Sequence, residues 1–151
     1  MIENTKFFMV PARGGKVIHV LGQTEEFLHS DGTVSVFINR IMPGMGVPMH
    51  IHREMDESCY VLSGRVKFVT DTESAVAEPG DYVSVARGTS HGFLGIGTEP
   101  IEMLWVTTPG GYDEFFEALS QVPIGAHGPD MGAMVEVGAR FKTEFTGPVP
   151  A

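Results

Sequence analysis

The sequence predicts an all-β domain, a jelly-roll barrel followed by one or two helices, on three observations. Nineteen glycines and ten prolines in 151 residues demand frequent turns, as short antiparallel strands do. Between the turns, apolar residues fall in short, β-branched runs rather than at helical spacing. Only after Pro109-Gly110-Gly111 does the pattern become helical.

Residues 5–21 hold two apolar pieces, Phe7-Phe8-Met9-Val10 and Val17-Ile18-His19-Val20-Leu21, parted by a Gly14-Gly15 turn. Residues 33–42 read as a strand ending at Pro43-Gly44. Residues 59–62 and 65–70 read as a hairpin about Ser63-Gly64. Residues 82–85, 92–96 and 101–106 complete the strand set. Residues 112–119 predict a helix with acids in its first turn, where the helix dipole favours them. Its apolar stripe, Phe115, Phe116 and Leu119, is expected to pack on the outside of the barrel. Residues 130–142 predict a second, shorter helix. The length suits one domain, with a barrel core at about 5–108 and a helical extension at about 110–147. No internal repeat points to a second barrel.

Composition narrows the partners. A formal charge of −9 excludes nucleic acid as a natural ligand and disfavours an anionic membrane surface. Cys59 is the only cysteine, so no intrachain disulfide forms. The first residues show no basic segment leading into an apolar one, and no apolar run reaches membrane-spanning length. A cytoplasmic enzyme or binding protein is expected.

The most informative stretch is His50-Ile51-His52 followed by Glu57. Residues two apart on a strand share a face, so the two imidazoles project together. Glu57 has the wrong parity for the same straight strand. Residues 53–56 are therefore expected to turn, with Glu57 beginning an antiparallel neighbour whose inner face meets the histidines. A fourth ligand is offered by His91, which follows a Gly88 turn and enters the next strand. Three imidazoles and a carboxylate suit one divalent transition metal per chain (Fe, Ni, Co, Mn or Zn), and the donor set does not choose among them.

Gly44, His50, His52, Glu57 and Gly64 fill the first motif of the cupin superfamily, and Gly80, Gly88 and His91 match its second. There Ala86 replaces the customary proline and Gly95 the customary asparagine, which questions the turn rather than the ligands. The chain thus resembles a small single-domain cupin. The Thr108-Pro109-Gly110-Gly111-Tyr112 segment, the acidic-aromatic run after it and the close of the chain look like bacterial quercetinase-like proteins. That resemblance implies a dioxygenase acting on a small aromatic or enol-bearing substrate such as a flavonol, with dioxygen as co-substrate. It also implies a helix covering one end of the barrel, Glu57 acting as catalytic base beside the metal, and a homodimer.

The substrate pocket is expected to be apolar. Cys59 and Val61 share the parity of Glu57, and Phe93 that of His91, so these three should face the interior. Phe37, Met103 and Trp105 are further pocket candidates, although turns leave their parity open, as they do for Met42. Cys59 reads as a buried, inert thiol. His19 and His29 read as surface or hairpin residues, while His127 lies in a loop placed to cap the barrel mouth. Arg40 and Lys67, the cations nearest the motifs, read as solvated strand residues. Besides dioxygenase, two alternatives stand: an oxygen-independent isomerase, lyase, decarboxylase or cyclase with Glu57 as base, and a non-catalytic ligand-binding cupin.

Overall fold

A computed structural model describes residues 7–151. The chain forms β1 (Lys16–Val20), β2 (Gln23–Ser30), β3 (Ser35–Ile41), β4 (Gly46–His52), β5 (Asp56–Ser63), β6 (Arg65–Thr70) and β7 (Ser74–Ala77). It continues with β8 (Tyr82–Val85), β9 (His91–Ile96), β10 (Ile101–Thr108), α1 (Tyr112–Ser120), β11 (Ile124–Gly125), β12 (Gly128–Pro129), α2 (Met131–Arg140) and β13 (Thr143–Phe145). One sheet runs β1-β2-β3-β10-β5-β8 and the other β13-β4-β9-β6-β7, with antiparallel pairing throughout. The all-β barrel with two C-terminal helices is therefore present. No helix among the described residues is long and apolar enough to cross a membrane.

Strict alternation in β3 and β10 builds the interior: every second residue of each is buried. Because β3, β10 and β5 are in register, these residues stack in rows across the sheet. Phe37, Trp105 and Cys59 form one row, and Asn39, Met103 and Val61 another. The main core gathers these apolar side chains with Phe27, Val66, Phe68, Phe93 and Ile101. A second cluster joins Phe115, Leu119, Met134 and Val137 of the helices to Val20 of β1.

Several expectations change on folding. The Ser63-Gly64 turn does not make a hairpin, because β5 pairs with β10 and β8 whereas β6 pairs with β9 and β7. The turn carries the chain from one sheet to the other. Gly64 suits it, with φ of 74° and no room for a Cβ, which would lie 2.7 Å from the Pro100 carbonyl oxygen. In the same way β4 and β5 are not neighbours; they belong to opposite sheets and face each other across the barrel. The Phe7–Val10 piece is not a strand, and Phe7 and Met9 are exposed. Residues 5 and 6 of the expected barrel lie outside the described residues. β2, β7, β11, β12 and β13 had no counterpart in the sequence reading.

The first helix, α1, does not ride on the outer surface. Ser35 Oγ accepts from the Tyr112 backbone N–H (3.1 Å), and Ser30 Oγ donates to Asp113 Oδ1 (2.6 Å). These bonds pin the start of α1 to β2 and β3. Phe116 then reaches the core, 6.0 Å from Phe27 and 5.6 Å from Phe37 between ring centres. The second helix, α2, is capped by Asp130, whose side chain accepts from the Ala133 N–H at 3.0 Å.

Candidate metal centre

The ligand atoms of His50, His52, Glu57 and His91 lie within 4.8 Å of one another, and all four residues are buried. β4 supplies the histidine pair, β5 the carboxylate and β9 His91. A register shift in the β4–β9 ladder between Val47 and His50 sets His50 directly opposite His91. The loops carrying the ligands are stapled together. The Gly88 N–H donates to the His52 carbonyl (2.7 Å), and Arg87 donates to Asp56 through its backbone N–H (2.9 Å) and its guanidinium (2.9 and 3.2 Å).

Each imidazole is oriented by its far nitrogen. His50 Nδ1–H donates to the Pro48 carbonyl at 2.7 Å and His91 Nδ1–H to that of Thr89 at 2.9 Å. His52 Nδ1 lies 2.8 Å from Thr143 Oγ1. The Thr143 hydroxyl donates to the Phe141 carbonyl (3.3 Å), so its oxygen accepts from His52. All three Nε2 lone pairs therefore point inward. His50 Nε2 and His52 Nε2 are 3.1 Å apart, Glu57 Oε2 is 3.6 Å from His52 Nε2, and Glu57 Oε1 contacts His91 Nε2. Lone pairs crowded in this way repel unless a cation lies between them. The donor set thus fits a divalent metal, held by three Nε2 atoms and one carboxylate oxygen.

Without a metal, the charges adjust among themselves. Burial raises the Glu57 carboxyl, but the His91 hydrogen bond and the neighbouring imidazoles outweigh it and hold Glu57 down to about 2. His91 moves up, since its bond to Glu57 overcomes burial. Burial, reinforced by His52 and His91, pushes His50 down to about 3. Cys59 is pushed up to about 12 by burial and the Glu57 charge, an inert thiol with no place among the ligands.

The two departures from the second motif are harmless for visible reasons. The Ala86 carbonyl accepts from the Thr89 N–H (3.2 Å), and Gly88 adopts φ of 83°, so the turn forms without proline. At Gly95 a Cβ would lie 2.8 Å from Ile101 Cδ1 and 3.1 Å from the Met42 carbonyl oxygen. The close approach of neighbouring chain leaves no space for asparagine.

Beside the ligands lies a cavity of about 660 Å³, counting the solvent it opens to, bordered by His50 and Glu57. Of the expected pocket residues, Phe37, Phe93 and Trp105 border it. Cys59, Val61 and Met103 face the interior but are packed within the core cluster rather than at the cavity wall. Phe115 and Phe116 were expected on the outside; they too line the cavity, because α1 folds over the barrel opening beside His52. His127 is exposed on the β11–β12 turn, away from the cavity. His19 and His29 bond to Thr24 and Asp31 at the surface. Arg40 is paired with Glu26 and Glu102, and Lys67 donates to the Ala151 carbonyl.

Sequence reasoning missed Tyr112 and Thr143. The Tyr112 hydroxyl is 3.3 Å from His52 Nε2, and burial holds this phenol well above its ordinary range, so it stays protonated. Its one signal was its place just after the Gly110-Gly111 pair. Thr143 gave none, since its role depends on β13 adding to β4 with Thr143 opposite His52.

The fold has known relatives. A family model described as Cupin domain matches residues 37–107. Quercetin 2,3-dioxygenase of Bacillus subtilis is 28% identical over 91 residues, which are 60% of this chain but 27% of that protein's length. A cupin-superfamily sugar phosphate isomerase from Silicibacter pomeroyi superposes with TM-score 0.61 at 21% identity, covering 67% of this chain and 75% of that one. A polyketide cyclase from Streptomyces resistomycificus gives TM-score 0.59 at 19% identity, with 68% and 79% covered. At such identities the structural likenesses speak to the fold alone. The chain is built on a cupin domain at residues 37–107, extended by flanking strands and two helices.

Proposed function

We propose that this cupin is a metal-dependent dioxygenase acting on a small aromatic or enol-bearing substrate of the flavonol kind. The observation that carries the reading is the convergence of three inward Nε2 lone pairs and one carboxylate at the wall of an aromatic cavity. The partial likeness to a quercetin 2,3-dioxygenase supports the choice of substrate class. A bound Fe, Mn, Co or Ni ion would supply Lewis acidity and the ability to engage dioxygen. Glu57 accepts the proton of an acidic substrate hydroxyl. Tyr112, kept neutral by burial, donates a hydrogen bond toward a substrate oxygen at the centre. Phe37, Phe93 and Trp105 hold the ring system and exclude water.

A second reading has its own support. A carboxylate and a neutral phenol at one centre form a base and acid pair, which suits an oxygen-independent isomerase, lyase or cyclase. Oxygen-electrode assays with quercetin, on protein reconstituted with each metal, decide between them. Oxygen uptake matched to substrate loss is expected. Equal product under argon would remove the dioxygenase and leave the acid–base enzyme, while failure to bind any metal would remove both and favour a ligand-binding role. Glu57→Gln should lower turnover by ~10²–10⁴-fold with metal largely retained, and unchanged turnover sinks the base assignment.

The proposal includes a twofold homodimer. Tyr60 and Tyr82 are register partners on the outer face of β5 and the edge strand β8, and both are exposed. Light scattering should give twice the 16.3 kDa chain mass; the single-chain mass refutes it.

A further inference from the structure

A second polar group borders the same cavity, away from the ligands. Glu25 of β2 and Asn39 of β3 are register partners with inward side chains, each 2% exposed. Asn39 Nδ2 donates to Glu25 Oε1 (2.6 Å) and to Gln23 Oε1 (3.1 Å), and Gln23 Nε2 donates to the Gly46 carbonyl (2.8 Å). The Gln23 bond fixes the amide orientation, since Gln23 is itself turned by the Gly46 carbonyl and a flipped Asn39 would set oxygen against Gln23 Oε1. What remains is Glu25 Oε2 and Asn39 Oδ1, both buried and both without a hydrogen-bond partner among the described residues. Buried polar atoms are seldom left so. Glu25, Asn39 and Gln23 all line the cavity that His50 and Glu57 line.

The register places this pair at a distance from the metal centre. Asn39 lies opposite Met103 and Glu57 opposite Thr107, four residues apart along β10, or about 13 Å of strand. Glu25 is therefore too remote to act on a reacting atom at the metal. The aromatic side chains Phe37 and Trp105 occupy the row between them. Burial pushes the Glu25 carboxyl well above its ordinary range despite the Asn39 bond, and so favours its neutral form. With Oε1 accepting from Asn39, the proton belongs on Oε2, and a donor and an acceptor stand side by side.

We propose that Glu25 and Asn39 form a second binding station, which grips a hydroxyl group at the far end of an elongated aromatic substrate whose other end lies at the metal. Glu25 Oε2–H donates to the hydroxyl oxygen, and Asn39 Oδ1 accepts the hydroxyl proton. The intervening Phe37 and Trp105 select a flat ring system. The pair is thus a positioning and specificity device, which rests on the reading of this cavity as a flavonol-type site. A polyphenol with a hydroxyl on the ring remote from its chelating edge satisfies both ends; an analogue without that hydroxyl leaves two polar atoms unpaired.

The test is an anaerobic titration of metal-reconstituted protein with quercetin and with 3-hydroxyflavone, followed by quenching of Trp105, the only tryptophan. The two probes share the chelating edge, but only quercetin carries hydroxyls on its remote rings. Wild type should favour quercetin by at least about tenfold, because a site built to bond a hydroxyl rejects its absence. Glu25→Met and Asn39→Leu should bring the two affinities within about twofold, by weakening quercetin and relieving the penalty on 3-hydroxyflavone, whereas Glu25→Gln keeps a donor and should keep the preference. Equal affinities in wild type, or a preference surviving both apolar variants, would overturn the station and leave the flavonol reading standing. If neither probe binds wild type, the flavonol reading falls and the melting temperature of Glu25→Met decides the station. A ligand-serving Glu25 predicts an unchanged or raised melting temperature. A fall beyond about 4 °C would show a structural tie between the sheets and reject the proposal.

Discussion

His52 depends on a hydroxyl ninety-one positions away in the chain. Thr143 Oγ1 accepts its Nδ1–H and so holds Nε2 toward the other ligands. Removing that acceptor frees the ring to turn and to change tautomer, while the near-isosteric valine preserves packing. Thr143→Val should therefore weaken metal binding by ~10–100-fold with the fold intact. Competition against a chelator of known affinity measures it, and an unchanged affinity would mean that packing alone orients the imidazole. The four converging side chains were legible from residue types and spacing, since a His-x-His pair on one strand face is a purely local property. Thr143, Tyr112, Glu25 and Asn39 were not. Each is an ordinary polar residue locally, and gains its role only from what the fold brings next to it.

At the scale of elements, α1 matters most. Leu119 is 5% exposed, packed in the cluster with Val20, Phe115 and Met134, and it borders the cavity. Leu119→Ala should cost ~2–5 kcal/mol by leaving space that helix and barrel fill only in part. Urea denaturation of wild type and variant tests the range, and a loss under about 1 kcal/mol would show that the helix relaxes onto the barrel. Helical periodicity and acids in the first turn announced α1, and Asp130 ahead of an apolar run is an N-cap signal for α2. Where α1 docks was not announced, because an apolar stripe names a buried face without naming what covers it. The Ser30 and Ser35 hydroxyls that anchor it come from strands more than seventy-five residues earlier. The strand β2 escaped notice for a related reason: Gln23, Glu25 and Glu26 are polar residues that folding buries.

For the whole molecule, metal and proton act on the same balance. A metal that binds only the folded chain adds about 4 kcal/mol of stability at a thousandfold excess over its Kd, so chelation should lower the melting temperature by ~8–16 °C. No shift on chelation would mean that the purified protein held no metal at this site. The metal-free protein should also lose stability in acid. His50 titrates at about 3 in the fold against 6.5 ordinarily. Between those values the unfolded chain binds a proton that the fold refuses, so stability falls as pH falls through that window. Glu57, at about 2 against 4.5, adds to the loss below 4.5. His91 has the opposite sign, its contribution being present below 6.5 and lost as pH rises through its raised value. Glu25, raised by burial, also opposes the loss. Melting temperatures of chelated Glu25→Gln protein, which lacks that titration, should therefore decline from pH 7 to pH 4, and a flat profile would contradict the charge balance described for the centre.

What the sequence by itself determined is whatever rests on short-range geometry: β alternation, turn glycines, the candidate quartet His50, His52, Glu57 and His91, and the change to helix after Gly111. Strand parity and turn chemistry act over a few residues, so the letters are enough. Tertiary structure alone decided which sheet each strand joined, with β4 and β5 facing each other rather than pairing. It also decided that α1 closes over the barrel beside His52, and that Glu25 and Asn39 share a cavity with His50 and Glu57. These follow from contacts between residues far apart in the chain, where burial overrides local polarity and no nearby residue carries the signal.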